Sequence, residues 1–393
     1  MRWTLLVVTA ALGCGRFGYD PATDGAVAAD APDLDGDGEV PPGPVATCDQ
    51  PMMLVDAGDT GGAAASFFAI DVAATTTGFA VAWQTSSGRT HVTSLAVTTD
   101  VDGPHLRVID PDRGVTVKEG PMAIAALGDQ VLLAVDDMFD PGIKLIPLDA
   151  VGADRGSISH LATVRAYGHD YLVADPGRDR FVVMAGNPGD SQAFVLGPDG
   201  APVAGPDPMF PVTTESVAVR PFGAGYAAIT GNASNCDVAV ADAALTVDAA
   251  SRQAISMTCH NASLVVAPGG AGVVAGWNCE DDMVWATGGD PAVALPPHHA
   301  VFGDASNVSS NPRLAPTSLG VWYLFRVAPD RVGRALLAGD SNPVPGTTPG
   351  ILFTRPTLRA HDVVARDDAA YLFWLEVDPA GRTSIWVQRL CTP

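Results

Sequence analysis

The chain has 393 residues, of which 47% are hydrophobic and 17% charged, so one large repeat domain or two smaller domains could be built around a sizeable core. Its 44 acidic residues against 22 basic ones leave a net charge of −22. That balance argues against nucleic acid and against adsorption to anionic lipid, because both rest on clustered Lys and Arg.

The first 20 residues pose a choice. Gly13, Gly15 and Gly18 spell G-x-G-x-x-G after the apolar run "TLLVVTAAL". A dinucleotide-binding turn needs a helix next, yet "YDPATDGAVAADAPDLDGDGEVPPGPVA" is too rich in Asp, Pro and Gly to supply one. Arg2, the apolar run and small residues before Cys14 instead form an export signal, with residues 1–13 as the signal peptide. "ALGC" resembles the lipobox of bacterial lipoproteins, with Ala11 where that family most often has Leu. The resemblance implies that Cys14 carries a diacylglycerol anchor. It also implies an outer-membrane destination, because Gly15 stands where inner-membrane retention uses Asp. An ordinary cleaved signal with an incidental Cys14 is the competing reading.

Residues 14–47 lose hydrophobic periodicity and read as a disordered, lipid-anchored linker rich in Asp, Pro and Gly. Fully extended, it reaches about 110 Å. Within it, "DLDGDGE" sets Asp33, Asp35 and Asp37 ahead of Gly38, like the first half of a calcium loop. The bidentate Glu of such a loop is replaced by Pro44 and no flanking helix is visible, so a solvated acidic spacer is preferred.

From residue 48 to 393 one unit recurs: an apolar run, a turn, and a second apolar run. The turns fall at Gly78, Gly128, Gly177, Gly225, Gly272, Gly320 and Asp368, at successive intervals of 50, 49, 48, 47, 48 and 48 residues. A third run follows, as in "THVTSLAV", "SQAFVLG" and "TSIWVQRL", with room for a fourth. The pattern predicts an all-β fold, a seven-bladed β-propeller of four-stranded blades, in preference to paired β-sandwiches. The last unit stops after its third run, and the orphan run "PMMLVDAG" before the first unit is expected to complete that blade and close the ring. Trp83, Trp277, Trp322 and Trp374 fall in second strands and are expected to pack between blades. The chain resembles the broad group of bacterial lipoproteins with an exported propeller, without the signature motifs of WD, kelch or sialidase repeats.

No nucleophile elbow, H-E-x-x-H, Walker loop or paired C-x-x-C is present, so no catalytic residue, metal or cofactor is assigned. Ligands of propellers gather at a mouth of the channel. The starts of the innermost strands bring candidates there: His169, Asp170, Glu215, His260, Asn261, Asn311, His361 and Asp362. Such a ring of imidazoles and carboxylates suits a polar ligand or a divalent cation, although turns at these points favour polar residues anyway. His298 and His299, in a Pro-rich connection, read as an exposed loop. The function expected is binding or scaffolding at the cell envelope, by a lipid-anchored monomer with a protein or glycan ligand. The alternative is a hydrolase or lyase acting on a glycan or other polar substrate at the channel mouth.

Beyond Cys14, five cysteines remain: Cys48, Cys236, Cys259, Cys279 and Cys391. The repeat register lets Cys259 pair with Cys236 or with Cys279. It also sets Cys48 beside Cys391, where a disulfide would stand in for the missing covalent turn of the last blade.

Overall fold

The computed structural model describes residues 50–391, apart from 60–68, 85–88, 101–102, 119–120, 137–141, 151–154, 163, 165, 167–170, 188–189, 211–215, 233–234, 258, 279–282, 304–311 and 328–329. Cys14, the linker, Cys48 and Cys279 lie outside the described residues, as do His169, Asp170, Glu215 and Asn311.

The fold is an all-β propeller with four-stranded blades. A first strand, β1 (Met52–Asp59), precedes six sheets of consecutive antiparallel strands. Sheet 1 holds β2 (Ala69–Ala74), β3 (Gly78–Gln84), β4 (Arg89–Asp100) and β5 (Gly103–Lys118). Sheet 2 holds β6 (Met122–Leu127), β7 (Gln130–Asp136), β8 (Gly142–Asp149) and β9 (Ser159–Ala162). Sheet 3 holds β10 (Leu172–Asp175), β11 (Arg180–Asn187), β12 (Asp190–Leu196) and β13 (Pro202–Phe210). Sheet 4 holds β14 (Ser216–Phe222), β15 (Gly225–Asn232), β16 (Asn235–Ala241) and β17 (Gln253–Ser256). Sheet 5 holds β18 (His260–Val266), β19 (Val273–Asn278), β20 (Met283–Gly289) and β21 (His299–Gly303). Sheet 6 holds β22 (Arg313–Thr317), β23 (Gly320–Val327), β24 (Arg331–Leu337) and β25 (Gly350–Thr354). The last sheet takes the order β1-β28-β27-β26, from β26 (Leu358–Arg366), β27 (Ala369–Val377) and β28 (Arg382–Leu390). In it β1 runs antiparallel to β28, with Met52 opposite Val387 and Asp56 opposite Ser384.

Each sheet begins at the axis and works outward. The first strand of each contacts the first strand of the sheets on either side, and β26 contacts β2. Small residues permit that crowding, as in "AIDVAA" and "MAIAAL". Hairpin turns between first and second strands need positive φ, which Gly supplies freely and other residues do not. Gly128 (φ 62°) meets the need between β6 and β7, whereas Asp367 (φ 49°) and Asp368 (φ 62°) meet it between β26 and β27. The Asp368 carboxylate accepts hydrogen bonds from the backbone N–H and hydroxyl of Ser318 in sheet 6, a contact glycine could not make.

The core lies between sheets. Trp83, Trp277 and Trp374 are fully buried and Trp322 nearly so, all in second strands. Phe79 of sheet 1 packs against Tyr371 and Phe373 of the last sheet at centroid distances of 4.9 and 5.3 Å. Tyrosine hydroxyls give the interfaces polar registration. Tyr171, just before β10, donates to the Ala134 and Pro121 carbonyls of sheet 2 at 2.7 and 3.0 Å, and Tyr323 of sheet 6 donates to the Trp285 carbonyl of sheet 5 at 3.0 Å. Sheet 1 carries the longest outer hairpin. Beyond Ala96, which pairs with Gly78, residues Val97–Asp100 pair only with Leu106–Gly103 of β5.

Candidate functional site

The innermost strands are mostly apolar, and in five of them a polar residue lines the axis. Asp71 does so in "AIDVAA", Arg220 in "SVAVRPF", Ser263 in "HNASLVV", Arg313 at the head of "RLAPT", and Asp362 in "LRAHDVVAR". These five side chains line one cavity of about 350 Å³ on the propeller axis, and the first strand of every sheet contributes to its wall. Sheets 2 and 3 add one aliphatic side chain each, Ile124 and Leu172.

The polar groups are not scattered around the axis. Arg220, Ser263 and Arg313 come from sheets 4, 5 and 6, forming an arc of hydrogen-bond donors. Asp362 and Asp71 follow from the last sheet and sheet 1, forming an arc of carboxylates. The two arcs meet where the Arg313 Nε stands 3.4 Å from the Asp362 Oδ1, both side chains almost wholly buried. Each carboxylate also staples its sheet to the next. Asp362 Oδ2 accepts the Val72 N–H at 2.7 Å, and Asp71 Oδ2 accepts the Ile124 N–H at 2.7 Å. Burial, and then the charges of Asp136 and Asp71, push the Tyr171 phenol well above its usual range and keep it a neutral donor.

The cavity runs toward the mouth at which the innermost strands end. A second hollow of about 550 Å³ lies there between sheets 5, 6 and the last, and shares Val266, Pro316 and Ala365 with the first. Of the described residues expected to form the site from their place at strand starts, the structure brings Asp362 to the cavity wall. His361 is its neighbour in an extended strand, so its side chain points to the opposite face. It is 2% exposed and does not line the cavity. Asn261 takes φ 47°, and its side-chain amide donates to the Asn278 Oδ1 at 3.5 Å, within its own sheet. His260 begins β18. His298 is exposed and sets its edge against Trp285 and Trp277 at 4.9 and 5.7 Å, an aromatic contact. Among the described residues no group of three or more His, Cys, Asp or Glu is arranged to hold a metal ion.

Asp71, Arg220, Ser263 and Arg313 were not expected from the sequence. Their signal was present: a polar residue inside an innermost strand is costly to bury unless it finds a partner or faces the channel. For the cysteines the structure makes the choice the sequence left open. Cys236 at the start of β16 is bonded to Cys259 just before β18, with Cα atoms 5.1 Å apart. Cys391 is disulfide-bonded as well.

No family model matches the chain, and no curated protein matches its sequence. Solved structures do match, at identities that speak to fold alone. The WD40 domain of Toxoplasma gondii coronin aligns with a TM-score of 0.50 at 9% identity, over 90% of this chain and 89% of that one. Kuenenia stuttgartiensis hydrazine synthase aligns with a TM-score of 0.49 at 12% identity, over 83% and 97% of the two chains. The Dos1 propeller aligns at 0.46 and 12%, over 86% and 93%. The coronin alignment places this chain among propellers by architecture.

Proposed function

We propose that the chain is a binding propeller held at the cell envelope, and that its axial cavity receives the ligand. The observation that carries this reading is the cavity itself, to which the first strand of every sheet contributes and in which four charged side chains and one hydroxyl face a common space. Soluble folds rarely gather charge on a crowded axis without a ligand to meet it, because each such group costs desolvation free energy. The propeller has seven blades. Seven four-stranded sheets support that number, and the pairing of β1 with β28 supports closure by the N-terminal strand. A bond from Cys48 to Cys391 fits both the position of Cys391 after β28 and its disulfide-bonded state.

Cys14 anchors the protein to the outer membrane through lipid, and residues 15–47 space the propeller from the bilayer as a monomer. Support comes from the order of charged, apolar, small and Cys segments in the sequence. Two measurements on protein from its native host test the reading. Intact mass should place the mature N-terminus at Cys14 with diacylglycerol attached; an unmodified N-terminus elsewhere overturns the anchor. Capture from native envelope should recover a saturable ligand whose retention falls when Arg313 is changed to Gln. Retention indifferent to that change removes the cavity from the proposal.

A further inference from the structure

We infer that the axial cavity is built for a small zwitterion with an aliphatic body, of the class of a free α-amino acid, an inference that rests on the cavity being the binding site. Three features of the wall carry it. Donors and acceptors are segregated: Arg220, Ser263 and Arg313 occupy three consecutive sheets, while Asp362 and Asp71 occupy the two sheets that follow. The remaining two sheets complete the circle with Ile124 and Leu172, and among the described residues no polar side chain of theirs lines the wall. A molecule at the centre therefore meets cationic forks on one side and carboxylates on the next, with aliphatic side chains such as Val72, Ile124, Leu172, Val265 and Leu314 distributed around the wall.

The two polar arcs and the aliphatic lining match the three parts of an apolar amino acid. Its carboxylate faces the guanidinium and hydroxyl donors, where planar forks offer paired N–H groups. Its ammonium faces Asp71 and Asp362, which present acceptors only when ionised. Its side chain leaves water against Ile124 and Leu172.

Size favours a small occupant in the axial cavity itself. A volume of about 350 Å³ sits at the lower end of small-molecule sites, which start near 300 Å³. It seats one monomer, and a longer ligand would have to extend into the adjoining hollow toward the mouth. A simple anion is also a poor match, since two carboxylates on the same wall repel it. A bare cation meets the converse objection from Arg220 and Arg313.

The test uses the full-length protein and three probes of one shape: L-leucine, 4-methylpentanoate, which lacks the ammonium, and 3-methylbutylamine, which lacks the carboxylate. Titration calorimetry should give a saturable heat for leucine, with each one-ended analogue bound at least about tenfold more weakly. Arg220→Gln should weaken leucine about tenfold or more and leave 3-methylbutylamine unchanged, while its melting temperature stays at the wild-type value. Arg220→Lys keeps the charge without the fork and should recover part of the loss. Equal binding of all three probes, or no heat from leucine, overturns the inference. If envelope capture still depends on Arg313 in that event, the binding reading stands and only the ligand class falls; if capture also fails, both fall.

Discussion

At the scale of the residue, polar groups in this protein act chiefly across the joints between sheets. Asp175 at the end of β10 is 1% exposed and gathers Arg178, Arg180 and Tyr226 around one carboxylate. Arg178 donates to it at 2.9 Å, the Tyr226 hydroxyl donates to it from sheet 4, and Arg180 continues to the Tyr226 hydroxyl at 2.6 Å and the Ala243 carbonyl at 2.6 Å. Burial works against the charged carboxyl, but the hydrogen bonds from Tyr226, Arg178 and Arg180 outweigh it and hold Asp175 below the usual carboxylate range. Burial and the bond to Asp175 push Tyr226 up to about 12, so it remains a protonated donor at neutral pH. A carboxyl depressed in the folded state stabilises that state above its unfolded value, near 4, and the contribution disappears as pH falls through the folded value. Asp175→Asn should therefore cost about 2 kcal/mol at neutral pH. The gap in melting temperature between variant and wild type should narrow steadily on acidification below pH about 4. A gap independent of pH would show that the carboxylate charge is not what holds this joint.

At the scale of the element, the sequence shows strands through alternation and small-residue runs, but it does not show how close two sheets come. β19 illustrates the difference. Gly276 lies in its middle, extended and unremarkable in the sequence, yet a Cβ there would stand 2.7 Å from the Tyr323 Cζ and 2.8 Å from its Oη. The ring cannot retreat without breaking its hydrogen bond to the Trp285 carbonyl in the adjacent strand. Gly276→Ala should lower stability by about 1–3 kcal/mol through overpacking, read as a lower melting temperature. Gly→Ala at Gly269, where nothing lies within 4 Å but φ is +85°, should cost about 1 kcal/mol through backbone strain alone. Equal losses at the two positions would count against packing as the cause at Gly276. The same limit explains the candidate site. His361 and Asp362 are equally polar and adjacent in sequence, and only the direction each faces from β26 separates a buried side chain from a wall of the cavity.

At the scale of the whole molecule, the two ends of the described chain meet. β1 supplies the outer strand of the last sheet, covering the edge of β28 that would otherwise present unpaired backbone groups. Removing residues 48–59 should leave a protein that melts lower and self-associates, measured by calorimetry and light scattering; an unchanged melt and a monomeric profile would show that β1 is dispensable. In the chain-entropy account the proposed Cys48–Cys391 bond would contribute on the order of 5 kcal/mol. Non-reducing peptide mapping should recover that pair together with Cys236–Cys259. The repeat period and the four-stranded unit were legible in the sequence, since each is a local matter of hydrophobic pattern and spacing. The choice of Cys236 over Cys279 was not, because both stood within reach of Cys259 in the repeat register. Nor was the arrangement of Asp71, Arg220, Ser263, Arg313 and Asp362 around one cavity. These residues are separated by 43 to 149 positions between successive members. They become neighbours only because every sheet sends its first strand to the same axis, so their shared chemistry exists in the folded propeller and nowhere along the chain.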